Sequence, residues 1–152
     1  MPYAVGLHPG FCWPLPGATG PHAITFDAEE SPEIPVIAPG GLFSDETRAV
    51  PLQGRRLELS ESLFSEALCF LDANSRGLEF SCGDKVLRMT LDNFRHIALW
   101  TLPDGKFLCL EAWTGHGDPE GFDGDIFAKP SMRRLKPGET ARSAATCTWR
   151  GG

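Results

Sequence analysis

The sequence predicts an all-β fold, an antiparallel β-sandwich or part of one. First, 17 glycines and 13 prolines separate short apolar runs, and these residues interrupt a helical period before it can extend. Second, several of the runs alternate apolar and polar residues, which is typical of half-buried strands. Third, residues 81–85 and 102–106 have the Gly and Pro pattern of tight turns that join two strands of a hairpin.

Nine strands are predicted along the chain, and the connections between them are short with one exception. The predicted strands are residues 3–7, 22–26, 55–59, 68–71, 77–81, 86–91, 97–102, 106–113 and 144–149. Residues 60–67 predict one or two helical turns at most, with Ser60 as N-cap. Residues 31–51 are rich in Pro and Gly and lack periodicity, so a long loop is predicted there. The length of 152 residues predicts a single domain over 1–152.

Composition excludes several classes of protein. A hydrophobic content of 41% argues against disorder. A net charge of -6 gives no support for a nucleic-acid surface. No apolar run approaches the roughly 18 residues of a membrane span, so neither nucleic acid nor membrane is an expected partner. Five cysteines without a C-x-x-C pair predict no disulfide framework and no zinc site, and a reducing, cytoplasmic location is expected.

The predicted strand 106–113 carries one carboxylate, Glu111, on a covered face. Strand alternation places Glu111 beside Trp113 on a face that is otherwise apolar. Burial there raises the pKa of a carboxyl toward the range useful for a general base. The alternative is a structural ion pair with Arg88 or Arg95 across the sheet. Spacing alone does not decide between the two.

Two further segments contain candidate ligand-binding residues. Residues 114–125 combine His116 with several acids, but the spacing does not fit a calcium loop, so we expect a surface loop that borders a cleft beside the preceding strand. Near the start, His8 is followed by Phe11 and Trp13. Aromatic rings beside a polar group suit a sugar, whose C–H face stacks on an indole. A structural role for His8 is the alternative.

Several segments together resemble the aldose 1-epimerase (galactose mutarotase-like) family, and its LacX-like branch in particular. The most distinctive block contains Phe94-Arg-His-Ile-Ala-Leu-Trp-Thr101 and Phe107-Leu-Cys-Leu-Glu-Ala-Trp-Thr-Gly115. The matching segments are residues 8–15, 63–70, 74–76, 94–101, 107–115, 118–129 and 135–139. The resemblance runs in order over nearly the whole chain, which corresponds to the C-terminal half of the family's domain, so 1–152 is expected to be a partial domain.

The resemblance implies part of a β-supersandwich and the interconversion of α and β anomers of an aldose. It implies Glu111 as the general base that deprotonates the anomeric hydroxyl and His8 as the general acid that protonates the ring oxygen. It also implies a sugar contact at Glu66. The other expected sugar-binding residues are Trp13, Trp113, Phe11 and His116. The expected partner is a monosaccharide, an aldohexose that is free or phosphorylated, and neither a cofactor nor a metal is expected.

Three departures from the family pattern leave alternatives open. Ala112 stands where the family usually has Pro, and Glu66 stands where it has Asp. The family domain is about twice as long, and its N-terminal half supplies an Arg and a His to the site. The alternatives to an active isomerase are a non-catalytic carbohydrate-binding module and the C-terminal piece of a split enzyme. In the last case a partner chain supplies the missing half, or the chain self-associates as a homodimer.

Overall fold

The computed structural model describes residues 1–151, and nearly all of their regular structure is β-strand. The strands are β1 (Pro2–Tyr3), β2 (Gly6–Leu7), β3 (Gly10–Cys12), β4 (Ala23–Phe26), β5 (Glu33–Ala38), β6 (Leu42–Ala49), β7 (Leu52–Gln53), β8 (Arg56–Glu58), β9 (Leu68–Phe70), β10 (Gly77–Cys82), β11 (Lys85–Asp92), β12 (His96–Trp100), β13 (Phe107–Trp113), β14 (Arg133–Arg134) and β15 (Ala144–Arg150). A 3-10 turn spans Glu61–Leu63.

Two antiparallel sheets form the body of the fold, as the sequence predicts. The first contains β9, β12 and β13 in that order, and both β2 and β3 pair with the far edge of β13. The second has the order β15-β11-β10-β4-β8-β7. Strand β13 therefore has partners on both edges, which makes it a central strand. Two smaller pairs, β1 with β14 and β5 with β6, lie outside these sheets.

The apolar core lies between the two sheets and determines which face of β13 is free for a site. Phe70 of β9 packs against Phe26 of β4 with 4.8 Å between ring centroids. Leu108 and Leu110 of β13 belong to the same core and are fully buried, and burial of each such side chain contributes roughly 1.5–3 kcal/mol. Because strand side chains alternate, Glu111 lies on the face of β13 that is turned away from this core.

All nine predicted strands overlap observed strands, and the two predicted hairpins connect β10 to β11 and β12 to β13. The helical segment shortens to the single turn Glu61–Leu63. Ser60 precedes this turn, but its hydroxyl contacts the Ser62 hydroxyl at 2.8 Å and caps no backbone N–H. Within residues 1–151, no helix has the length and apolarity that crossing a membrane requires.

The prediction of a long loop over 31–51 is wrong, since this segment forms the hairpin β5–β6. The residues that suggested a loop have other roles in it. Pro35 lies next to a shift of register between Pro35 and Ile37, where a ladder tolerates a missing N–H. Gly40 and Gly41 have φ of 84° and 78° and form the turn between the strands, a conformation that favours glycine.

Candidate active site

Glu111 lies at the centre of a covered strand face, as alternation predicts. It pairs with Ala98 of β12 and has 6% of its surface exposed. Cys109 and Trp113 are its neighbours on the same face of β13. A buried carboxylate in such a position requires polar partners or a raised pKa.

The ion-pair alternative for Glu111 is wrong. Arg88 instead binds Asp27 with two guanidinium nitrogens, at 2.5 Å and 2.9 Å. Arg95 binds Asp72 at 2.8 Å. Both guanidinium groups are thus engaged elsewhere, and within residues 1–151 no arginine pairs with Glu111.

The two oxygens of Glu111 contact an imidazole and an indole. Oε1 lies 3.1 Å from Nε2 of His8, and Oε2 accepts a hydrogen bond of 2.8 Å from Nε1 of Trp113. Burial raises the pKa of Glu111 above its ordinary value, and the Trp113 hydrogen bond and the charge of His8 lower it by less. A carboxylate whose pKa lies nearer to neutrality is a stronger base than an exposed one.

His8 lies in the short connection between β2 and β3. Both strands pair with β13, which brings His8 close to Glu111. Its ring stands edge-on to Trp100 and Trp113, with centroid distances of 5.8 Å and 6.3 Å. Its side chain is 46% exposed, against 7% for that of Glu111. His8 can therefore exchange protons with solvent while it remains in contact with the buried carboxylate.

A mostly apolar cavity of about 430 Å³ opens beside Glu111. Small-molecule sites occupy roughly 300–1,000 Å³, so the cavity has the size of such a site. Its wall includes Phe43, Cys69, His96, Glu111, Trp113 and His116. His8 is not among the lining residues, but it contacts Oε1 of Glu111, which is one of them.

Of the six predicted site residues other than Glu111, two line the cavity and two pack against the core. Trp113 and His116 are in the wall. Phe11 pairs with Leu108, a core residue, and packs against the core. Trp13 also packs against the core, with its ring 5.7 Å from that of Phe64. Sequence spacing near His8 did not reveal that the two aromatic rings face the interior.

Glu66 is engaged within the protein. Its Oε1 lies 2.6 Å from Nε of Arg48, and its Oε2 accepts a hydrogen bond of 2.8 Å from the N–H of Ile37. Arg48 and Ile37 belong to the hairpin β5–β6, so Glu66 attaches this hairpin to the rest of the chain. A sugar contact at Glu66 stays a prediction.

His96 is a cavity residue that sequence reasoning missed. It is 2% exposed, and its Nδ1 accepts a hydrogen bond of 3.0 Å from the N–H of Asp72. Its buried Nε2 has no hydrogen-bond partner in the part of the chain that the structure describes. Burial lowers its pKa to about 4, so the ring is neutral near pH 7. The signal was available, because alternation along β12 places His96 on the same face as Ala98, the partner of Glu111.

One group of side chains has the composition of a metal site. Ligand atoms of His8, Cys109 and Glu111 lie within 4.8 Å of one another, and Zn²⁺ takes all three ligand types. A thiol must lose its proton to bind a metal, however, and burial together with the charge of Glu111 raises the pKa of Cys109. The cluster can therefore hold a divalent ion through all three side chains only if Cys109 loses its thiol proton.

The chain resembles known proteins in sequence and in fold. No family model matches the chain. The plasmid and chromosomal forms of protein LacX from Lactococcus lactis subsp. lactis are each 30% identical to it over 156 aligned positions. The alignment covers 97% of the chain and 52% of each relative. The chain thus spans about half the length of the curated relatives it matches.

Solved structures share the fold over the whole chain. A galactose mutarotase-like protein from Lactobacillus casei ATCC 334 has a TM-score of 0.82 and 20% identity, covering 99% of this chain and 53% of its own. A galactose mutarotase related enzyme from Lactobacillus acidophilus has a TM-score of 0.70 and 23% identity, with 97% and 50% covered. The predicted resemblance is confirmed at the level of the fold: the chain has the fold of galactose mutarotase-like proteins, over an extent consistent with their C-terminal half.

Proposed function

We propose that this chain carries the acid–base pair of an aldose 1-epimerase, with Glu111 as the base and His8 as the acid. The observation that supports the proposal best is the contact of 3.1 Å between Oε1 of Glu111 and Nε2 of His8. One group is a buried carboxylate of raised pKa in a cavity wall, and the other is a half-exposed imidazole. Reversible ring opening requires a base and an acid that lie close enough together to act on one sugar.

The reaction proceeds by two coupled proton transfers. The Glu111 carboxylate takes the proton of the anomeric hydroxyl, whose oxygen forms the C1 carbonyl as the bond from C1 to the ring oxygen breaks. The ring oxygen takes a proton from the His8 imidazolium, which leaves an open-chain aldehyde, a protonated Glu111 and a neutral His8. Rotation about the C1–C2 bond presents the other carbonyl face. Ring closure then reverses both transfers and restores the two groups.

Sugar binding must separate the two groups, since each exchanges its contact with the other for a contact with the sugar. The indole of Trp113 lies in the cavity wall and holds Oε2 of Glu111. Its ring offers an apolar surface to the C–H face of a pyranose. The related solved structures are named for galactose mutarotase, so galactose is the first aldohexose to test.

The experiment uses polarimetry to measure the rate at which freshly dissolved α-galactose or α-glucose mutarotates in the presence of the protein. The proposal expects the purified chain to accelerate the approach to the equilibrium rotation in proportion to its concentration. No acceleration at any protein concentration contradicts it. A parallel titration of the same sugars by calorimetry shows whether binding occurs in either case.

The second candidate function is a carbohydrate-binding module without catalysis. It is favoured by one observation, the absence of His8 from the cavity lining, which allows a ligand to contact Glu111 alone. Sugar binding without acceleration is its expected outcome. A related possibility is that catalysis requires a second polypeptide or a second copy of the chain, since the chain spans about half the length of its relatives. Light scattering that shows a monomer argues against self-association.

A further inference from the structure

His96 has a property that the acid–base pair does not explain. Its imidazole is 2% exposed and forms part of the cavity wall. Its Nε2 is buried without a hydrogen-bond partner among residues 1–151. A buried polar atom left unpaired costs about 1–3 kcal/mol of stability. Such an atom calls for an explanation, and a hydrogen-bond partner on a bound ligand is one.

The hydrogen bond at the other ring nitrogen determines what His96 can offer. The Asp72 N–H is a donor, so Nδ1 of His96 must accept with its lone pair and carries no proton. In a neutral imidazole the proton then resides on Nε2. The ring is neutral near pH 7 because burial disfavours its charged form. His96 therefore presents an N–H donor and no acceptor.

We propose that His96 is a ligand-binding residue of this cavity, and that its Nε2–H donates a hydrogen bond to an uncharged oxygen of the bound sugar. The proposal rests on the proposed function, because it takes a sugar as the ligand. It also predicts which ligands the cavity prefers. The neutral donor favours a hydroxyl or ether oxygen at one position and discriminates against a ligand that has hydrogen there.

His116 lies next to His96 in the cavity wall. Its ring stands at 83° to that of His96 with 5.2 Å between centroids, and it is only partly buried. Its Nδ1 is 2.9 Å from the carbonyl oxygen of Gly117, which can only accept, so Nδ1 carries a proton. Because Nε2 of His96 is buried, a ligand oxygen can reach it only after a neighbouring side chain moves, and His116 is one such neighbour.

The first test measures the tautomer without any ligand. Long-range ¹H–¹⁵N spectra of the imidazoles distinguish an Nε2–H ring from an Nδ1–H ring and from imidazolium. The proposal expects His96 as the Nε2–H tautomer at pH 7. An Nδ1–H tautomer or a doubly protonated ring overturns it.

The second test compares two substitutions, each of which keeps one of the two hydrogen-bonding functions of the imidazole. In His96→Asn the amide oxygen is the same number of bonds from Cα as Nδ1, so it retains the acceptor for Asp72 N–H and loses the ligand donor. In His96→Gln the amide nitrogen corresponds to Nε2 and retains the donor. Binding of methyl galactosides is measured by calorimetry, because these sugars have no free anomeric hydroxyl and cannot mutarotate.

We expect His96→Asn to weaken binding about tenfold and His96→Gln to weaken it less, as one neutral hydrogen bond implies. One member of the monodeoxy series should bind wild-type protein about tenfold more weakly and lose no further affinity with His96→Asn. Equal affinities of wild-type protein and His96→Asn overturn the proposal. A purely structural role of His96 gives the reverse order, with Gln the more damaging change.

The two proposals fail in distinguishable ways. If methyl galactosides bind, with the expected order of His96 variants, but α-galactose mutarotation is not accelerated, the catalytic proposal fails and the His96 proposal stands. If mutarotation is accelerated but both His96 variants bind like wild-type protein, only the His96 proposal fails. Wild-type protein that binds no sugar contradicts both.

Discussion

The indole Nε1 of Trp113 donates a hydrogen bond of 2.8 Å to Oε2 of Glu111, from the next position on the same strand face. This bond stabilises the charged carboxylate and opposes the effect of burial on its pKa. It also fixes the carboxylate so that Oε1 points to His8. Trp113 thus serves the proposed base in two ways, through its ring in the cavity wall and through its N–H.

Trp113→Phe tests the electrostatic effect of that bond. The phenyl ring keeps an aromatic wall but cannot donate, so the pKa of Glu111 should rise further. The pH at which the protein-catalysed mutarotation reaches half of its maximum on the acidic limb should therefore move upward. Trp100→Phe is the matched control, because Trp100 contacts His8 and makes no hydrogen bond to Glu111. An unchanged acidic limb in Trp113→Phe contradicts this role.

Gly6→Ala should displace the Trp113 indole. A Cβ at Gly6 would lie 1.9 Å from Cε3 of Trp113, a distance at which one of the two must move. We expect a loss of about 1–3 kcal/mol in the free energy of unfolding, as for overpacking elsewhere, and a lower mutarotation rate. Gly10→Ala on the adjacent strand β3 is the control, since its Cβ would meet Phe107 at an ordinary 3.7 Å. Urea unfolding of the two variants measures the difference.

Glu111→Gln should stabilise the protein near pH 7. The folded pKa of Glu111 is raised, so the folded state binds more protons than the unfolded state as pH rises from about 4.5. Wild-type protein therefore loses stability as pH rises from there through the folded pKa, and the uncharged Gln variant does not. The difference in melting temperature between the two should vanish at pH 4 and favour the variant at pH 7. A variant that is less stable at pH 7 would falsify the assignment of burial as the dominant effect.

His96 should make the stability of the protein fall with acid over a different range of pH. Its folded pKa of about 4 lies below the ordinary value of 6.5, so the unfolded state binds the proton first as pH falls. Stability that is fully present above pH 6.5 should decline as pH falls toward 4, by up to about 3 kcal/mol. His96→Asn should flatten this decline. Asp72 opposes the shift, while His116, Arg95 and Arg133 favour it, so these side chains must be left unchanged in the comparison.

The sequence predicted the sheets and the strand face on which Glu111 lies, because both depend on local pattern. Alternation in residues 106–113 correctly placed Glu111 opposite the core residues Leu108 and Leu110. It was insufficient for residues 31–51, where Pro and Gly form a register shift and a turn within a hairpin rather than a loop. Propensity describes such a segment poorly, since pairing with a distant strand determines its conformation.

The surroundings of Glu111 depend on contacts between distant segments, which spacing does not reveal. Phe11 and Trp13 follow His8 closely, yet their rings face the core. His96 is distant from His8 in sequence but reaches the cavity because β12 pairs with β13. The strand register, once known, would have identified His96.

The most direct test of the proposed acid–base pair is the polarimetric rate constant for α-galactose mutarotation per mole of protein, compared between wild-type protein, Glu111→Gln and Glu79→Gln. Glu79 is a strand glutamate of the other sheet that pairs with Arg150, so its variant controls for the chemical change alone. We expect Glu111→Gln to lower the catalysed rate at least about 100-fold, as for loss of a general base, and Glu79→Gln to match wild-type protein. A Glu111→Gln variant that accelerates mutarotation as well as wild-type protein contradicts the assignment of Glu111 as the base.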